Sequence, residues 1–120
     1  MKIKDFGNSL INSDIGRLKK LKSLEKDLDN YFITHVNQLN GSGRLSCQIA
    51  SGKDYIVCKQ RIAISKPKFP PSKGGRLWFV ITRNGYYIRC LLYMAKEEKN
   101  YKKSICFRIV KERLETILQN

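Results

Sequence analysis

The chain is short of the residues that build metal centres and histidine-based active sites. It has one histidine, His35, and four cysteines, Cys47, Cys58, Cys90 and Cys106, with no pair at CxxC spacing. That pattern argues against a zinc site, and a ribonuclease-type pair of histidines acting as acid and base is impossible. Proline is confined to one stretch, Pro67, Pro70 and Pro71. No apolar run is long enough to cross a bilayer, and the opening residues do not have the form of a signal peptide. These absences predict a reduced, cytoplasmic protein with no metal or other cofactor. Cys58 and Cys90 fall inside apolar strand patterns, as expected of buried thiols.

Acidic residues are the other scarcity: 10 Asp and Glu stand against 24 Lys and Arg, a formal net charge of +14. Such an excess predicts long-range attraction to polyanions and salt-sensitive binding. The excess is uneven. Between Arg44 and Lys111 there are 16 basic residues and three acids, Asp54, Glu97 and Glu98, whereas the signs nearly cancel before Arg44. A nucleic-acid face therefore belongs to the C-terminal two thirds. With 120 residues, 42% hydrophobic, the chain suits one domain, residues 1–120, with one core.

Periodicity lays out the elements. Met1 to Phe6 alternates and reads as a short edge strand. Ile15, Leu18 and Leu21 recur at near-helical spacing, with Ser13 placed to cap and Asp14 in the first turn. Ser23 opens a clearer helix, whose stripe Leu24, Leu28, Phe32, Val36 and Leu39 ends at Asn40-Gly41. Residues 41–52 read as irregular, with a short turn over the sheet edge. Tyr55 to Ile64 reads as a strand with Tyr55, Val57, Lys59 and Arg61 on one face and Ile56, Cys58, Ile62 and Ile64 on the other. A basic loop, 65–73, carries the prolines, which oppose sheet pairing. Leu77 to Thr82 and Tyr87 to Met94 read as apolar strands joined by a type I′ turn at Arg83-Asn84-Gly85-Tyr86. Lys96 to Lys103 is polar, and Lys103 to Leu118 closes as a helix bearing Cys106, Ile109, Val110, Leu114 and Ile117 on one side. The expected fold is α+β: a small curved antiparallel sheet, an N-terminal helical hairpin packed on one face, and a C-terminal helix.

The strands carry cations at their rims. Arg76 enters the central strand behind Gly74 and Gly75, which leave room for a backbone or ribose to approach. Lys59 and Arg61 share the polar face of the preceding strand. Lys66, Lys68 and Lys73 in the loop suit general phosphate attraction without sequence reading. Trp78, Phe79 and Tyr93 read as core, Tyr86 as part of the hairpin, and His35 as a surface or core-edge residue.

The run Ser23 to Leu28, then Lys59-Gln60-Arg61, then Ser72-Lys73-Gly74-Gly75-Arg76-Leu77-Trp78-Phe79, then Leu91 to Lys96, resembles the RelE/HigB toxin superfamily in order and spacing. The resemblance implies the toxin of a toxin–antitoxin pair: an endoribonuclease that cuts mRNA on the ribosome and is neutralised by a cognate antitoxin protein. It implies that Arg76 contacts the scissile phosphate, with Lys59, Arg61 and Lys96 beside it. Tyr101 is the candidate for base stacking or acid–base work, two residues out of register. Glu97 stands where some members carry a catalytic arginine, and Lys99 is the nearby cation that could supply the charge. ParE-like members share the fold and poison DNA gyrase instead, and a non-catalytic basic nucleic-acid-binding module is a further alternative. The chemistry itself is workable without histidine. RNA carries its own nucleophile, the 2′-hydroxyl, so the protein need only take a proton, hold the phosphate and stabilise charge. Arginine grips phosphate with a planar fork, and lysines crowded by cations can act as bases.

Overall fold

An almost unbroken apolar run, Leu77 to Ile81, predicts a strand covered on both sides, and that strand is the centre of the molecule. The computed structural model describes residues 3–36 and 47–118. Its elements are β1 (Lys4–Asp5), α1 (Asn12–Arg17), α2 (Leu24–Tyr31) continued by a π-helical turn over Phe32–Val36, β2 (Gln48–Ser51), β3 (Tyr55–Ile62), β4 (Gly75–Thr82), β5 (Tyr86–Met94), a 3-10 turn over Ala95–Asn100, and α3 (Lys103–Leu118). The sheet order is β1-β5-β4-β3-β2.

The fold is α+β, but the sheet is mixed rather than antiparallel. β1 runs parallel to β5, with Lys4 paired to Tyr86 and Asp5 to Tyr87. No hairpin joins these two strands, which lie far apart in sequence, so no turn dictates their direction. β2 is a further departure, a paired strand where a turn is expected. A register shift between Gln48 and Ala50 breaks its two-residue alternation and hides it from pattern reading.

Helices cover both faces. On one, Ile11, Leu24, Leu28 and Val36 meet Cys58, Ile62, Leu77, Phe79 and Leu92. On the other, Cys106, Val110 and Leu114 of α3 meet Val57, Trp78, Val80, Ile88 and Tyr93. The expected stripe of α2 is thus buried as far as Val36; Leu39 and the Asn40-Gly41 cap lie outside the described residues. All four cysteines are buried and unpaired.

Several local devices differ from expectation. Ser13 lies inside α1, whose N-cap position is Ile11. Ser23 does stand at the N-cap of α2, but its hydroxyl donates to Asp27 at 2.7 Å and accepts from the Lys66 amide at 2.8 Å. It clamps the basic loop instead of capping the helix. That loop also contains one antiparallel bridge, Ile64 to Phe69, despite its prolines. At the β4–β5 hairpin the Gly85 amide donates to the Thr82 carbonyl (3.0 Å), Gly85 has φ +88°, and the Tyr86 amide donates to the Thr82 hydroxyl (2.9 Å). The loop is therefore the three-residue kind with one left-handed glycine, and the threonine hydroxyl replaces the bond a two-residue type I′ turn would make.

Past its pairing with β1, the outer edge of β5 has no strand neighbour among the described residues. Side chains fill it instead. Asp14, buried at 5% exposure, accepts the Leu92 amide at 3.0 Å. Arg113 of α3 donates to both Asp14 oxygens (2.7 and 3.1 Å) and to the Cys90 carbonyl (2.9 Å). Arg17 donates to the Leu92 carbonyl and pairs with Glu97, whose other oxygen accepts the Met94 amide at 2.9 Å. Backbone groups that would otherwise template another chain are thereby satisfied. Asp14→Ala leaves Arg113 and the Leu92 amide without their acceptor. The expected loss is about 3 kcal/mol, at the low end for a buried pair because Arg113 is partly exposed. Urea denaturation measures it; an unchanged midpoint would show that the edge is held by other means.

Candidate nucleic-acid interface

Strand register decides which cations meet. Lys59 lies opposite Trp78 and Arg61 opposite Arg76, and Arg76 in turn lies opposite Tyr93. All share the face that α3 covers, at the end of the sheet where α3 begins. The 3-10 turn after β5 brings Glu98 over them. Lys59 Nζ donates to Glu98 Oε1 at 2.7 Å, and Arg76 Nε stands 3.5 Å from Glu98 Oε2. One carboxylate thus bridges two strands through their cations. The hydrogen bond from Lys59 holds Glu98 below the usual carboxylate range, against a smaller opposing effect of burial.

Aromatic rings floor the same region. Tyr101 stacks on Tyr93, centroids 4.2 Å apart and planes 1° from parallel. Trp78 donates its indole N–H to the Tyr93 hydroxyl at 3.1 Å and meets Phe107 edge-on. Burial pushes the Tyr93 phenol up, so it stays protonated. Beside them is a cavity of about 220 Å³ lined by Ile49, Lys59, Trp78, Tyr101 and Lys103. An exposed ammonium, a partly open tyrosine and an aliphatic wall suit a base and its phosphate.

Arg76 is in place but not free. It is 3% exposed, and its guanidinium donates to the carbonyls of Pro71 (2.9 Å), Gly75 (3.2 Å) and Ser72 (2.9 Å). Its fork holds the loop entering β4 and offers no open donor pair to a phosphate. Nor is the room beside Gly74 open to a ribose. A Cβ there would lie 2.1 Å from the Ile62 carbonyl, so the neighbouring strand's backbone already fills it.

The remaining candidates disperse. Lys96 and Lys73 are exposed and line a separate groove with α1. Arg61 is exposed and borders a cavity beneath α2 with Tyr31 and His35. Lys66 and Lys68 are exposed on the loop that Ser65 and Lys66 tie to Asp27 and Ser23. Lys99 is exposed on the turn that carries Glu98. Glu97 accepts the Met94 amide and pairs with Arg17, so it serves the sheet edge. The structure brings together Lys59, Arg76 and Tyr101, and leaves Arg61 outside that group. It adds Glu98, Trp78, Ile49 and Lys103. The signal that could have found Glu98 is its rarity, one of three acids among 16 cations.

Arg76→Ala strands buried carbonyls and is expected to destabilise by about 2–3 kcal/mol, whereas Lys59→Ala at the more open end of the site costs under about 1 kcal/mol; thermal unfolding of the two variants compares them directly. Carbon-13 NMR titration of the Glu98 carboxyl should give a midpoint below that of an ordinary glutamate. It should move up in Lys59→Met, which removes the largest cause of the lowering. The sign follows from linkage: with the folded value depressed, the pair's contribution is present above the unfolded value and fades as pH falls through the folded one. A midpoint indifferent to Lys59 would break the pairing argument. Comparison with family models, with curated proteins and with solved structures finds no match for this chain.

Proposed function

We propose that the protein is a RelE/HigB-like toxin, an endoribonuclease cutting mRNA in the cytoplasm, with the ribosome presenting the substrate and a cognate antitoxin opposing it. The observation that carries the reading is Glu98 held between Lys59 and Arg76, with Lys59 also lining the cavity that Tyr101 and Trp78 line. A carboxylate kept ionised is a base, and an ammonium bonded to it is the matching acid.

In this reading Lys59 and Lys103 receive the phosphate and Tyr101 meets a base. The 2′-oxygen attacks phosphorus while its proton passes to Glu98. The P–O5′ bond breaks, and the leaving oxygen takes a proton from Lys59. The products are a 2′,3′-cyclic phosphate and a 5′-hydroxyl. The 2.7 Å contact then lets the proton on Glu98 return to Lys59, which restores both groups. Arg76 acts through position: it fastens the loop before β4 and steadies Glu98, while Arg61, Lys66, Lys68 and Lys99 add attraction without reading sequence. Lys73 and Lys96 stand apart from this chemistry.

The test is mRNA cleavage in a translating extract, mapped by primer extension. Glu98→Gln and Lys59→Ala should each lower the rate by about 10²–10³-fold. Cleavage untouched by both would remove this active site. Absence of cleavage by the wild type, with RNA still bound, would favour a binding module; accumulation of gyrase-linked DNA breaks would favour the ParE-like alternative.

A further inference from the structure

A larger concavity, about 530 Å³, opens between α1, the end of β5 and the proline-bearing loop. Its floor is apolar: Leu18, Leu21, Phe69 and Met94. Its rim is basic: Lys19, Lys20, Lys73 and Lys96, all exposed, line it, and none of these four ammonium groups has an ion-pair partner among the described residues. The fifth cation there, Arg17, is engaged by Glu97.

This combination restricts the occupant. Like charges gathered round apolar surface repel one another and leave that surface wet, so a counter-charged amphipathic ligand relieves both costs. Strand addition is not available at this wall. The amide of Met94, the β5 residue that lines it, is already taken by Glu97, and the Leu92 carbonyl next along that edge by Arg17. Recognition must then use side chains, the mode of a helix lying in a groove. A single-stranded nucleic acid fits less well. Its bases need aromatic platforms; the floor has one ring, Phe69, while Trp78, Tyr93 and Tyr101 gather at the other site.

We propose that this groove receives an acidic amphipathic helix of a partner protein. Apolar side chains of the helix at i, i+3 or i+4, and i+7 lie on Leu18, Leu21, Phe69 and Met94. Its flanking carboxylates meet Lys19, Lys20, Lys73 and Lys96. The proposal does not depend on RNA being cut.

The probe is a fluorescein-labelled synthetic helix of roughly 15 residues, leucines on one face and glutamates beside them, titrated with the full chain and followed by anisotropy. The wild type should bind it and should bind a permuted peptide of the same composition at least about tenfold more weakly. The double variant Lys20→Glu, Lys96→Glu should lose about tenfold or more, and Lys102→Glu, Lys103→Glu, beside the Tyr101 cavity, should bind as the wild type does. Because a charge reversal could act at a distance, methyl NMR of the wild type supplies a second reading: the Leu18, Leu21 and Met94 methyls should shift with the ordered helix. Failure of the wild type to bind, equal binding of the permuted peptide, or unmoved methyls would each overturn the proposal. So would a single-stranded RNA oligomer or phosphatidylserine vesicles that bind through the same lysines and shift the same methyls in place of the peptide.

Discussion

A buried carboxylate on α1 and a guanidinium on α3 meet around the open edge of β5, and the two-faced architecture depends on that meeting. The helices lie on opposite faces of the sheet, so their apolar contacts do not touch each other. Asp14 and Arg113 join them past the strand edge, and each also satisfies a backbone group of β5. Burying either charge alone would be costly; together, with three donors on Asp14, the desolvation is compensated. The same arrangement closes an edge that would otherwise invite pairing with another chain.

A second carboxylate repeats the arrangement at the other side of α3's start. Glu98 draws Lys59 and Arg76 to one point, so a carboxylate stands between cations of two strands in a strongly basic chain. Its neighbour Glu97 faces the opposite way, to Arg17 and the end of β5. Two adjacent acids on one 3-10 turn thus divide between the end of β5 and the cations of β3 and β4. The basic surface divides too. The Tyr101 side combines cations with aromatic rings, whereas the α1 groove combines them with aliphatic side chains. Both carry lysines; their linings differ in aromatic and aliphatic content.

Most of the fold was legible because hydrophobic period is a direct consequence of backbone geometry. The stripe of α2, the two-sided burial of β4 and the inner face of α3 follow from spacing. β2 was not legible, since its bulge destroys the alternation. The parallel placement of β1 has no local cause. Lys59 and Arg61 fall on one face of β3 because strand alternation requires it, and register sets Arg76 opposite Arg61. The sequence could not say that Arg76 would turn back on the carbonyls of its own loop, or that Lys96 would leave on the other side of the strand's end. A long flexible side chain takes its direction from partners, and those partners come from distant parts of the chain.

By itself the sequence determined the class of the fold, the burial of Cys58 and Cys90, and an excess of positive charge concentrated after Arg44. Those properties are sums or periods, and need no knowledge of which segment lies beside which. Tertiary structure alone decided that Glu98 bridges Lys59 and Arg76, that Asp14 reaches Arg113, 99 residues away, and that Lys19, Lys20, Lys73 and Lys96 ring one apolar hollow. Ion pairs and grooves are made by side chains that meet only after the sheet has ordered its strands, so their geometry is a product of packing and is not written in any one stretch of residues.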